Sequence, residues 1–222
     1  MRLALFDLDG TLLPIDSDHS FGEFVVAAGL AEGESYRRRN DAFYADYQAG
    51  RLDIGAYVEF CTAPWRALDG AAQAALQARF VDEVIRPALK PAAFELVERH
   101  RRAGDLLAIV TATNDFITRP IADCFGVATL IATELERDAA GRATGAIRGR
   151  PAFREGKIER VVQWLAGVGR TLADFERSTF YSDSTNDLPL LEHVSHPVAT
   201  NPGHALRELA LARGWPILNL FE

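Results

Sequence analysis

The spacing of apolar residues changes character twice along the chain. Residues 2–6 (RLALF) form a short unbroken apolar run followed by the turn-rich string DLDGTL, the pattern of a buried strand ending in a polar loop. From Ser17 to Ile85 β-branched runs disappear, and aromatic and aliphatic residues fall at helical spacing. Phe21, Phe24, Val25 and Ala28 form one set, Tyr36, Phe43 and Tyr47 the next, and Leu76, Phe80 and Val84 the last. This pattern predicts three or four helices.

Beyond residue 88, strand and helix signals alternate. Pro91 opens a helix that closes at Gly104, and DLLAIVTAT (105–113) reads as a strand buried on both faces. A helix from Asn114 to Phe125 stops at Gly126, and ATLIAT (128–133) is the next strand. Residues 134–150 carry three glycines and predict an exposed hairpin or flap. A helix over Lys157–Leu165, a strand at STFYSD (178–183) and a short helix at Leu188–Glu192 follow. HPVAT (196–200) is the expected last core strand, with a helix from Gly203 to Arg213 after it. The alternation predicts an α/β fold, a doubly wound parallel sheet built from residues 1–16 and 89–222. Residues 17–88 then form an inserted all-helical cap over the carboxyl ends of the strands, where ligands bind in such sheets.

Composition narrows the picture. Twenty-four Lys and Arg against 31 Asp and Glu leave a net charge of −7, which argues against a nucleic-acid grip built on a basic surface. Cys61 and Cys124 stand far apart, in no metal-binding or disulfide spacing, and read as two buried thiols. The first apolar run is broken by Asp7 and Asp9 too early for a leader peptide, and no run is long enough to span a membrane. A soluble cytoplasmic protein is expected.

Four polar sites recur where apolar runs end or a helix begins: Asp7 with Asp9, Thr111, Lys157, and Asp183 with Asp187. In a parallel sheet these positions lie side by side. Four carboxylates brought together repel one another unless a cation joins them, and an oxygen-only ligand set points to Mg²⁺. Singly, a Thr at a strand end, a Lys at a helix start or an Asp pair in a turn is ordinary capping and surface chemistry. Their shared placement is what points to a site.

The strings that carry these residues are similar to the four motifs of the haloacid dehalogenase superfamily. DLDGTL (7–12) resembles the first, IVTAT the second, REGKIERV the third and SDSTNDLPLL the fourth. The resemblance spans essentially the whole chain, and an insertion directly after the first motif resembles the phosphoserine-phosphatase-like branch. It implies a Mg²⁺-dependent phosphomonoester hydrolase that works through an aspartyl-phosphate on Asp7. By the resemblance, Asp9 is the acid and base for leaving group and water. Thr111 and Lys157 bind the transferring phosphate, with Ala112, Asn114 and the amides after Thr111 helping to cradle it. Asp7, the Asp9 carbonyl and Asp183 hold the metal, while Asp187 supports its water shell or holds Lys157.

The chain departs from the amino-acid phosphatase pattern at two places. Asp16, followed by Ser17, Asp18 and His19, stands near the position of a glutamate that meets the substrate amine, and Thr111-Ala112-Thr113 replaces Ser-Gly-Gly. The expected substrate is a small phosphorylated metabolite, with phosphoserine and histidinol phosphate as candidates. Other chemistries share parts of the set. A phosphotransferase shares the first half-reaction, and a phospho-accepting signalling module shares the acidic pair, Thr and Lys. A carbon–halogen hydrolase shares the nucleophile alone and has no use for Asp9 or the second acidic pair.

Several further residues have simpler readings. Arg37, Arg38 and Arg39 read as a solvated helix face, and Phe21, Phe24, Phe43, Tyr44 and Tyr47 as the core of the cap, with one or two lining its pocket. Arg51 and Arg66 are candidates for a substrate carboxylate. His193 and His196 are expected in a loop rather than as a metal pair.

Overall fold

The first apolar run becomes strand β1 (Arg2–Phe6), whose residues 3–6 are all buried. The chain, described over residues 1–221 in a computed structural model, then enters four consecutive helices. These are α1 (Ser17–Ala27), α2 (Gly33–Gln48), α3 (Ile54–Thr62) and α4 (Gly70–Phe80). Asp16, Asp53 and Asp69 cap α1, α3 and α4 by accepting from the amides of His19, Ala56 and Ala72. Each such cap stabilises a helix start by about 1 kcal/mol. A π turn at Val81–Ile85 joins α4 to the single turn α5 (Arg86–Ala88). Pro87 has no N–H and crowds the carbonyl four residues back, and the Arg86 amide reaches instead to Val81 O.

The alternating half follows. It comprises α6 (Pro91–Arg102), β2 (Leu106–Asn114), α7 (Asp115–Cys124), β3 (Leu130–Thr133) and a hairpin of β4 (Leu135–Arg137) and β5 (Ala143–Ile147). Then come α8 (Glu155–Gly167), β6 (Arg177–Ser182), α9 (Leu188–Leu191), β7 (His196–Thr200), α10 (His204–Arg213) and β8 (Ile217–Leu218). Six parallel strands lie in the order β3-β2-β1-β6-β7-β8, and β4 and β5 pair antiparallel as a separate flap. The predicted sheet ended at residues 196–200. The additional β8 pairs Ile217 and Leu218 with Ala199 and Thr200 and is too short to show alternation in the sequence. His196 is the first residue of β7 rather than part of a loop.

Side chains of β1 alternate between two apolar layers. Ala4 and Phe6 pack toward α6, α7 and the inserted helices, while Leu3 and Leu5 pack toward α8, α9 and α10. Phe21 and Phe24 are buried as expected, but not within the helical insertion alone. Phe21 meets Phe80 edge-on at 4.9 Å and Phe116 of α7 at 6.0 Å, and Trp65 stacks on Phe116 at 3.9 Å. The aromatic cluster therefore joins the predicted insertion, residues 17–88, to α7 of the part that follows it. Cys61 is buried, whereas Cys124 is only half-buried at the end of α7, so the expectation of two buried thiols holds for one. No helix among the described residues is long and apolar enough to cross a membrane.

Candidate active site

Register fixes where the polar residues emerge. Phe6 is level with Ile109 of β2 and with Tyr181 of β6, so Asp7 and Asp183, just past the ends of β1 and β6, come to the same edge of the sheet as Thr111 in the second half of β2. Lys157 arrives from the first turn of α8. That turn requires Gly156, because a Cβ there would lie 2.1 Å from the carbonyl oxygen of Pro151. The loop after β1 turns at Gly10, whose φ of +73° favours glycine and where a Cβ would meet Asp183 Oδ2 at 2.2 Å. Asn201 holds this loop by donating to the carbonyls of Gly10 at 2.9 Å and Thr11 at 3.2 Å.

A buried ion triad forms the centre. The Lys157 ammonium, 1% exposed, lies 2.8 Å from Asp7 Oδ1 and 2.7 Å from Asp187 Oδ1. Ser182 Oγ donates to Asp187 Oδ2 at 2.7 Å. Asp187 thus joins Ser182 to Lys157. Burial pulls the lysine pKa down, and the charges of Asp187 and then Asp7 more than reverse that, so it stays protonated. Burial pushes Asp7 up to about 7 despite Lys157. Asp183 is held well above the usual carboxylate range by burial and by the charges of Asp7 and Asp187.

Asp9 points away from this triad. Its Oδ1 accepts from the Ser17 amide at 2.7 Å and its Oδ2 from Thr113 Oγ1 at 2.9 Å. Burial and the charge of Asp16 push it up to about 7. Thr111 is buried with its Oγ1 accepting from the Thr113 amide at 3.2 Å, and Thr111, Ala112 and Thr113 face the same cavity as Asp7 and Asp9. Asn114 instead caps α7, its Oδ1 accepting from Ile117 N, and it is not among the residues lining the cavity.

The cavity holds about 40 Å³ of free space under the helical insertion. Asp7, Asp9, Asp16, Asp18 and His19 line it on one side, and Phe43, Tyr44, Tyr47, Tyr57 and Val58 on the other. Phe43, Tyr44 and Tyr47 are thus wall residues, only half-buried, rather than pure core. Arg51 pairs with Asp46 and Arg66 with Glu59; neither lines the cavity, and no Lys or Arg does. Arg37 pairs with Glu23 and Arg39 lies over the Phe60 ring, in keeping with a solvated basic face. Sequence reasoning gave no site role to Thr11, Thr113, Ser182 and Asn201; Thr11, Thr113 and Asn201 meet partners more than 100 residues away, and Ser182 meets Asp187 five residues on.

The arrangement suits a hard divalent cation. Thr11 Oγ1 sits 3.4 Å from Asp7 Oδ2 and 3.2 Å from Asp183 Oδ1, so the two carboxylates face a common point. Asp183 has no ion-pair partner among the described residues, and burial beside Asp7 and Asp187 disfavours its ionised form. No group of three or more His, Cys, Asp or Glu side chains among the described residues is gathered as a metal cage. Two carboxylates with a backbone carbonyl leave room for the waters that Mg²⁺ retains.

A parallel sheet with a buried carboxylate–lysine pair at its carboxyl edge, roofed by inserted helices, defines a capped α/β phosphatase. The chain belongs to the haloacid dehalogenase-like hydrolase family, whose sequence model matches residues 4–192. It is 43% identical over 218 residues to a histidinol-phosphatase of Neisseria meningitidis, covering 98% of each chain. A crystal structure of a protein of unknown function from Bordetella pertussis superposes with a TM-score of 0.93 at 51% identity, over 99% of both chains. A substrate-bound phosphoserine phosphatase shares the fold at a TM-score of 0.68 and 17% identity, over 97% of this chain and 91% of that one.

Proposed function

We propose that the protein is a Mg²⁺-dependent phosphomonoesterase of amino-alcohol phosphates, with histidinol phosphate as its substrate. The observation that carries the substrate choice is the composition of the cavity wall. It presents Asp16 and Asp18 and no lysine or arginine. Phosphoserine brings a carboxylate that this wall would leave unpaired among acids, at a cost of several kcal/mol. Histidinol phosphate brings an ammonium and a basic ring and no carboxylate. The 43% identical histidinol-phosphatase supports the same choice.

Residues 17–88 act as the cap and residues 1–16 and 89–222 as the catalytic core. Asp7, Asp183 and the Asp9 carbonyl would hold Mg²⁺, which supplies charge neutralisation between the nucleophile and the phosphoryl oxygens. Lys157 fixes Asp7 through Oδ1 and offsets its charge. Asp7 attacks phosphorus, the bond from phosphorus to the alcohol oxygen breaks, and the Asp9 carboxyl gives its proton to that oxygen. A carboxyl pushed up to about 7 still holds a proton to give near neutrality. Asp9 then takes a proton from the water that attacks the phospho-Asp7, which releases phosphate, frees the Asp7 carboxylate and returns Asp9 to its protonated form. Thr111 donates its hydroxyl to a phosphate oxygen. Asp16 keeps one oxygen on the His19 amide and turns the carboxyl toward the substrate amine.

The test is phosphate release from histidinol phosphate, phosphoserine and glycerol phosphate, with Mg²⁺ and with EDTA. Histidinol phosphate is expected to exceed phosphoserine at least tenfold in kcat/KM, and Asp7→Asn to lose turnover on every ester. Phosphoserine as the better substrate would overturn the substrate choice, and activity retained by Asp7→Asn would overturn the nucleophile.

A further inference from the structure

Of the acids that line the cavity, Asp7 and Asp9 serve the reaction and Asp16 caps α1, which leaves Asp18 without a task. It lies in the first turn of α1, and its Oδ1 is sealed from solvent with no hydrogen-bond partner. A buried acceptor left unpaired costs about 1–3 kcal/mol, so its persistence calls for a donor that arrives from elsewhere. Tyr57 lines the same cavity as this carboxyl. Around that carboxyl the wall is aromatic. Phe43 and Tyr57 stand with ring centroids 5.3 Å apart at 63°, and both line the cavity together with Val58 and Ile54. An acid at the end of an aromatic slot is the chemistry that holds a flat cation or a ring N–H, through ion pairing and through contact with ring faces. Nothing else on this wall competes for it, since the lining has no lysine or arginine and His19 is paired with Asp41 at 2.8 Å.

We propose that Asp18, backed by Tyr57 and walled by Phe43, is the subsite for a basic heteroaromatic ring at the end of the substrate remote from its phosphate. This rests on the amino-alcohol phosphate reading above and divides its recognition between two acids: Asp16 meets the amine next to the ester, and Asp18 meets the ring. The arrangement explains why two carboxyl groups two residues apart both enter one cavity. It also predicts that an amine without a ring engages only half of the recognition surface.

The experiment compares kcat/KM for histidinol phosphate with that for phosphoethanolamine, which has the amine and lacks the ring, in wild type, Asp18→Asn and Tyr57→Phe. Asp18→Asn keeps the shape of the side chain and removes its charge. The ratio of histidinol phosphate to phosphoethanolamine should fall tenfold or more in Asp18→Asn and about threefold in Tyr57→Phe. Histidinol itself, followed by calorimetry, should bind Asp18→Asn at least tenfold more weakly than wild type. A ratio unchanged in both variants, with the wild-type preference for histidinol phosphate intact, overturns the subsite and leaves the proposed function standing. Absence of that preference in the wild type overturns the proposed function and the subsite together. Should Asp18→Asn fail to fold, the Tyr57→Phe ratio decides by the same criterion.

Discussion

At Lys157 one ammonium stands 2.8 Å from Asp7 and 2.7 Å from Asp187 where water does not reach. Replacing it with Met leaves two buried carboxyl groups facing each other without a counter-charge, a change that costs roughly 3–5 kcal/mol. For a chain of this size that is a fall of about 10 °C in thermal midpoint, at about 2–4 °C per kcal/mol. The fall should be measured in EDTA at pH 8 and should shrink at pH 5, where Asp7 takes up its proton. A midpoint within 2 °C of wild type at pH 8 would show that the lysine is not the counter-charge. Asp9 gives a second residue-scale prediction. Thr113 donates to its Oδ2 at 2.9 Å and so favours the ionised form. Thr113→Val removes that bond, raises the Asp9 pKa, and moves the alkaline limb of the rate profile to higher pH; a shift to lower pH would contradict the assignment of Asp9 as the acid. Both acids were legible in the sequence because each follows an apolar run with a fixed offset. Thr113 and Thr11 were not, because a hydroxyl carries no spacing signature when its partner is 104 or 172 residues away, as for Thr113 and Asp9 or Thr11 and Asp183.

Elements set how the cap meets the core. The end of α2 is clipped to the core from two sides: Asn186 Nδ2 donates to Tyr47 O at 2.9 Å, and Arg154 donates to Gly50 O. On a third side, Gln77 of α4 donates to Phe116 O. A single neutral hydrogen bond of this kind contributes about 0.5–1.5 kcal/mol. Asn186→Ala should therefore lower kcat/KM about fivefold, speed amide exchange at residues 47–51, and leave the thermal midpoint within about 3 °C. Unchanged exchange with unchanged kinetics would mean that the clip does not hold the cap. The helices and strands themselves were largely readable, since periodicity of apolar residues is a property of the element that displays it. What escaped was set by neighbours or by size. β8 has two residues, and the π turn at Val81–Ile85 answers to Pro87 beyond it. The aromatic contact of Trp65 with Phe116 depends on how two separately legible parts dock.

At the scale of the whole molecule, acidity and enclosure act on each other. Asp7, Asp9, Asp16, Asp18 and Asp183 all have pKa values raised chiefly by burial, and the first four line the cavity under the helical insertion. Movement of the helices over the cavity would admit a substrate, and with it water to the carboxyl groups. The sign of the pH dependence follows from the direction of the shifts. A carboxyl whose folded pKa lies above its unfolded value binds protons more tightly in the folded state. Its stabilising contribution is complete below about pH 4 and is lost as pH rises through about 7, the value for Asp7 and Asp9. In EDTA the thermal midpoint should therefore fall from pH 5 to pH 8. Mg²⁺ should recover more of it at pH 8 than at pH 5, because the ionised carboxylates are the ones a cation joins. Asp183→Asn should reduce both the pH dependence and the recovery by Mg²⁺. A midpoint in EDTA that rises between pH 5 and pH 8, or an equal gain from Mg²⁺ at both, would mean that the clustered acids are not what limits the closed state. The expected result makes the cluster a stability cost that metal and a cationic substrate offset together, tying closure of the cap to occupancy of the site.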